Sequence, residues 1–207
     1  GIPFGAQGSL IAFSCVALQS IINRFGSDVI AAFTATSRIE QLVQQPYNSL
    51  ATALATFAAQ NIGAGNPERV RRGFRKSTFL VIVFSVIMCG IMFLSGEAFV
   101  RLFVKDANVI AIGGRAIRIT SLFYIPLGMI YITRSLLNGA GDSAFAFVSG
   151  LAEVVGRVGF SILLAGIPAL GYWAVWYTTG LTWLITGAAC ILRYLQGKWE
   201  RIVLVEK

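Results

Sequence analysis

Seven polar residues recur at spacings of three and four: Thr34, Arg38, Gln41, Gln45, Asn48, Thr52 and Thr56. Helical geometry sets such residues along one face. Glu40, Gln44 and Tyr47 widen that face, and Pro46 interrupts it and frees a backbone carbonyl. The chemistry on offer is binding rather than bond making. Amides and hydroxyls supply hydrogen bonds, Arg38 sets the local charge, and Glu40 can carry a proton or a cation. Two readings of Glu40 stand side by side. It is either a salt-bridge partner to another helix, with Arg157 the candidate, or a coupling carboxylate in a polar cavity. A second acid, Glu153, precedes Arg157 by four residues, a spacing at which the two pair within one helix as an intramembrane ion pair.

These groups form no enzyme's constellation. There is no carboxylate pair at a fixed spacing and no cluster of hydroxyl, base and orienting acid. The chain has no histidine, and Cys15, Cys89 and Cys190 lie in apolar runs without metal-ligand spacing. That argues against a zinc site or a Ser-His triad. No cofactor and no metal is expected, beyond a coupling ion, H+ or Na+.

The elements that position these residues are apolar to an unusual degree. Of 207 residues 56% are hydrophobic and 13% charged, against about 25% charged in an average soluble domain. A helix needs about 20 mainly apolar residues to cross a bilayer. Six runs of that order are expected to be helical, over residues 1–23, 28–62, 77–103, 107–138, 143–166 and 171–192. Turn-forming breaks separate them: RFGSD, GAGNPE, VKDAN, NGAGDS and GIPALG. No period-2 alternation supports a transmembrane barrel. The expected fold is therefore all-α integral membrane, a six-transmembrane-helix bundle. Within it, Glu40 lies roughly 18 Å along its helix from Asp28, near the midplane. Pro126 and Gly128, between Arg118 and Arg134, predict a bent fourth span. The chain begins at Gly1, is apolar at once and shows no secretory leader pattern. It reads as a piece of a longer chain.

Charge gives the orientation. The net charge is +8. Arg69, Arg71, Arg72, Arg75 and Lys76 follow the second span, and Arg193, Lys198, Arg201 and Lys207 occupy a polar tail, 193–207. Six spans put both groups on one side. Arg24, Arg101, Lys105, Arg115 and Arg118 fall on the other. The basic excess marks the first side as cytoplasmic. Both chain ends are then cytoplasmic, in a multi-pass protein of the cell (plasma) membrane. Glycines beside arginines suggest a phosphate cradle, yet the order of strand, glycines, lysine and Ser/Thr is missing. The run reads instead as a topology signal resting on anionic lipid headgroups. No nucleic-acid partner is expected.

The motifs resemble the C-terminal half of the MATE (multidrug and toxic compound extrusion) family of transporters, over nearly the whole chain. The resemblance runs from GIPFGAQGSL through LQSIINRFGSDVIAAFTATSRIEQLVQQP and is strongest at ATFAAQNIGAGNPERVRRGFR. SLLNGAGDS looks like the family's second cytoplasmic signature. The signature residues are Gln60, Asn61, Gly63, Gly65 and Arg69 in the first loop and Gly139, Gly141 and Asp142 in the second.

The resemblance implies one lobe of a two-lobe, twelve-helix transporter, with the N-terminal lobe as its partner. The family exports cationic and amphipathic drug-like compounds in exchange for protons or sodium, by alternating access. The expected cavity lining is Glu40, Arg38, Gln41, Gln44, Gln45 and Asn48, with Gln7 from the first span. The chain departs from the family where some branches carry acids on helices seven and ten. GIPFGAQGSLIAF and SLFYIPLGMIYI contain none. Either Glu40 takes the coupling role or the acid lies in the missing lobe.

Three alternatives stand beside this reading, the nearest a flippase of a related fold and the other two from different classes. A lipid-linked saccharide flippase would use Arg38, Arg115, Arg118 and Arg157 to hold a pyrophosphate. An integral-membrane enzyme would need more acids near the basic loop than Glu68 and Asp142. A non-transporting scaffold would show no substrate flux.

Overall fold

A computed structural model describes residues 22–200, together with Val16 and Gln19. The first expected span, 1–23, lies almost wholly outside the described residues, and so does Gln7. Six α-helices follow: α1 Ser27–Gly63, α2 Pro67–Arg101, α3 Ala107–Ser121, α4 Tyr124–Gly139, α5 Ser143–Ala165 and α6 Ala174–Leu195. Short 3-10 turns stand at Gly171–Trp173 and Lys198–Glu200.

Helix α1 has 37 residues, about 55 Å at 1.5 Å per residue. One side of it is a buried stripe running through Val29, Ala32, Ile39, Val43, Tyr47, Leu54, Ala58 and Ile62. Helix α2 begins at Pro67, ten residues before the expected 77. A proline at the first helical position needs no hydrogen bond, Glu68 favours the first turn, and the basic residues that follow are good helix formers. Sequence apolarity had marked only the part of this helix suited to lipid.

The expected fourth span, 107–138, is two helices. They meet at a 56° bend between Ser121 and Tyr124. Pro126 has no N–H to offer the Leu122 carbonyl, which removes a bond at the corner. Together α3 and α4 are long and apolar enough to cross a membrane, as are α2 and the stretch Gly171–Leu195. The polar stripe of α1 keeps it out of that set. At the C-terminus α6 runs on to Leu195. The turn beyond it packs back on the helix end, where Trp199 is 1% exposed and stacks on Tyr194.

Helix α4 is the hub. It packs on α1, α2, α5 and α6, while α2 also lies along α3, and α5 covers α6. The main core gathers Tyr47, Tyr124, Leu127, Ile132, Leu136 and Trp183. A smaller one at the start of α1 joins Ile22, Val29 and Ala32 to Val109, Ala116 and Trp176.

The ends of α1 and α4 close by the same device. Ala64, Gly65 and Asn66 donate backbone N–H groups to Gln60, Ile62 and Asn61; Ala140, Gly141 and Asp142 donate to Leu136, Asn138 and Leu137 in the same pattern. Gly65 and Gly141 take φ of 73° and 92°, a left-handed conformation that glycine adopts without strain. The two signature loops, GAGN and GAGD, are therefore one structural turn used twice.

Candidate functional site

The polar face of α1 stands clear of the bundle. Thr34, Arg38, Gln41, Gln45, Asn48, Thr52 and Thr56 are all exposed. Thr34, Thr52 and Thr56 return their hydroxyls to the carbonyl four residues back. That leaves Arg38, Gln41, Gln45 and Asn48 as the outward groups. Arg38 has no ion pair among the described residues.

Three residues expected to widen this face are placed otherwise. Glu40 is two residues from Arg38, 200° round the helix, and its side chain enters the bundle. Its Oε1 oxygen is buried with no hydrogen-bond partner among the described residues. Tyr47 is 1% exposed and hydrogen bonds Ser85 at 2.7 Å. Gln44 lies at the edge, where its Oε1 accepts from the Tyr131 hydroxyl at 2.9 Å. The heptad-like stripe drew these positions together, and the packing of α1 against α3 and α4 divided them.

Behind the polar face lies a buried network of charge. The Thr120 hydroxyl is against the Glu40 carboxyl group, and Arg157 is the cation whose field reaches it. Tyr124, at the α3–α4 corner, stands near Glu40 and has a buried hydroxyl without a hydrogen-bond partner among the described residues. Glu153 accepts from Arg157 at 3.0 Å through Oε1 and from Arg134 at 3.0 Å through Oε2. These three side chains are 16% exposed or less. The Glu153–Arg157 pair read from the sequence is thus part of a bridge between α5 and α4. Nothing local in the sequence points to Arg134 as a site residue. Its partner is distant in sequence, and only the α4–α5 turn brings the two together.

The signature residues divide into three packed at the turns, Asn61, Gly139 and Asp142, and others that stay exposed. Asn61 donates from Nδ2 to the Phe57 carbonyl at 2.7 Å. Asp142 is buried and accepts from Arg193 Nε at 2.7 Å, tying the second turn to the end of α6. A Cβ on Gly139 would overlap the Ala55 carbonyl oxygen, so this glycine lets α4 close on α1. Gln60, Gly63 and Gly65 are exposed. Arg69 is exposed too, with its guanidinium 5.8 Å from the Phe57 ring centre.

An all-α bundle with exposed apolar walls, one exposed polar helix face and buried charges between its helices has the build of a membrane transporter lobe. The chain belongs to the MatE family, whose family model matches residues 3–163. The family is one of membrane transporters and not of enzymes. Over 205 residues the chain is 27% identical to the "Probable multidrug resistance protein YpnP" of Bacillus subtilis (strain 168), covering 99% of this chain and 46% of that protein. It is 25% identical over 178 residues to a protein named "FAD transporter" from Shewanella oneidensis, covering 84% and 38%. A crystal structure of MATE in the bent conformation superposes with a TM-score of 0.89 at 17% identity, over 99% of this chain and 46% of that one. The chain thus spans about half the length of the relatives it matches, and its six-helix domain corresponds to one half of that fold.

Proposed function

We propose that this chain is the C-terminal lobe of an efflux antiporter. The transporter would export cationic and amphipathic compounds in exchange for protons or sodium, by alternating access against an N-terminal lobe. The observation that carries the reading is the α1 face. Seven polar residues remain exposed on a helix whose other side is buried. Polar groups facing acyl chains are costly, about 2.5 kcal/mol or more for an arginine alone. The face therefore borders water or a second lobe. Gln41, Gln45 and Asn48 offer hydrogen bonds to varied solutes without fixing one shape.

Glu40 is the proposed coupling group. Its Oε1 oxygen and the Tyr124 hydroxyl, both buried without a partner among the described residues, describe a place that a proton or a small cation satisfies. Loading that site favours one conformation of the lobe, and the substrate favours the other. By the positive-inside rule the basic start of α2 lies in the cytoplasm, with both chain ends.

The test is export of a cationic dye by the native-length protein in vesicles, with Glu40→Gln beside the unaltered protein. We expect transport driven by a proton or sodium gradient to fall at least tenfold while dye binding persists. Unchanged gradient-driven export in Glu40→Gln removes Glu40 from coupling.

A second reading has one specific support. The sole charge exposed on α1 between residues 29 and 62 is Arg38, since Glu40 turns inward. That charge favours an anionic amphiphile, the direction in which the relative named as an FAD transporter points. Competition of dye export by a flavin nucleotide, lost in Arg38→Gln, decides for it. The flippase reading is weakened by geometry. Of its four arginines, Arg115 lies over Trp173, Arg118 pairs with Glu97, and Arg157 pairs with Glu153.

A further inference from the structure

The basic run at the start of α2 is divided by the helix that carries it. Arg71 turns to the C-terminal segment, where its guanidinium meets both Glu200 oxygens at 2.7 and 2.8 Å. Arg75, one turn on, shares that side. Arg69, Arg72 and Lys76 lie on another side, at spacings of three and four.

There they rim a groove of about 790 Å³ between α1 and α2. Its floor is apolar, formed by Leu50, Ala53, Leu54 and Phe57. Gly73 lets the Phe57 ring of the floor lie directly on α2, for a Cβ there would come within 2.5 Å of that ring. Glu68 reaches Arg72 only at 3.6 Å, and Arg69 and Lys76 have no ion pair among the described residues.

The same stripe of α2 continues inward as Leu80, Val83 and Ile87, which are 54%, 40% and 53% exposed. From Lys76 to Ile87 is about 16 Å at 1.5 Å per residue, half of a hydrocarbon core about 30 Å thick. Three cations thus stand at headgroup depth, over an apolar track one leaflet long.

We propose that this groove binds an anionic phospholipid. Its phosphate rests on Arg69, Arg72 and Lys76, and one acyl chain lies over Leu50, Leu54 and Phe57. A soluble anion would engage the cations and leave the apolar floor uncovered. The wall toward α2 is aliphatic, unlike the polar face of α1, so lipid fits it better than a second lobe.

Native mass spectrometry of the native-length protein, released from vesicles of equal phosphatidylglycerol and phosphatidylcholine, tests this. Each cation near an anionic surface is worth roughly a fivefold preference. With Glu68 opposing, the protein should retain phosphatidylglycerol at least about tenfold over phosphatidylcholine. The Arg69→Gln, Arg72→Gln, Lys76→Gln triple variant should bring the ratio close to one, while Arg75→Gln keeps it. Ala53→Phe, which fills the floor without touching charge, should lower retention of both lipids. The proposal is overturned by equal retention of the two lipids in the unaltered protein, or by a triple variant that keeps the ratio. It is equally overturned if Arg75→Gln loses the ratio, if Ala53→Phe retains lipid fully, or if millimolar inorganic phosphate displaces the lipid.

Discussion

Glu153 is the residue on which the interior charges depend. It joins two guanidiniums, Arg134 from α4 and Arg157 from its own helix, each at 3.0 Å. Breaking a buried pair by removing one partner costs about 3–5 kcal/mol, because the remaining charge stays desolvated. Glu153→Gln should therefore lower the thermal unfolding midpoint of the detergent-solubilised protein more than any single change on the exposed α1 face. Asn48→Ala, on that face, should leave the midpoint almost unchanged. A Glu153→Gln midpoint equal to that of Asn48→Ala would show that the network carries no stability. The comparison also separates Glu153 from Glu40, whose loss is expected to affect coupling. Glu153 joins two helices through its ion pairs, and Glu40 is the acid proposed for coupling.

At the scale of elements, the repeated turn explains why two glycine-rich loops of similar sequence answer differently to mutation. Gly63 and Gly139 occupy equivalent positions in GAGN and GAGD. Gly63 has nothing within 4 Å of where a Cβ would stand, whereas Gly139 abuts the backbone of Ala55. Gly63→Ala should be neutral or stabilise by up to about 1 kcal/mol, since alanine loses less entropy in a helix. Gly139→Ala forces α4 away from α1 and should cost about 1–3 kcal/mol. Equal shifts in chemical unfolding for the two variants would contradict the packing described. The bend between α3 and α4 belongs to this scale as well. It places Tyr124 at a corner, beside Glu40 rather than in a straight helix wall.

For the molecule as a whole, the division between lipid-facing and water-facing surfaces is the property that matters. Cysteines introduced at Gln41 and Asn48 should react with a membrane-impermeant maleimide in a background free of native cysteines. A cysteine at Val83, on the apolar stripe of α2, should not. Labelling at position 83 but not at 41 and 48 would reverse the assignment of surfaces. The six-helix unit explains why such a face exists. The bundle buries one side of α1, and among the described residues no helix is set against the polar side, in a chain that spans about half of its relatives' length.

The sequence by itself determined the class and most of the elements. Apolar runs near bilayer length, turn-forming breaks and the two glycine motifs were enough for an all-α membrane bundle of the MatE family. Period and composition are local, and lipid imposes them on each helix separately. The polar stripe of α1 was legible for the same reason. What only the tertiary structure decided was which side of a helix each ambiguous residue takes. Glu40 and Tyr47 belong to the interior, because α3 and α4 pack on that flank of α1. Arg134 becomes a partner of Glu153 only after the α4–α5 turn folds one helix onto the other. The basic run is five like charges in the sequence. The helix sorts them into a clamp on Glu200 and the rim of a groove, because 100° of rotation per residue meets different neighbours on each side.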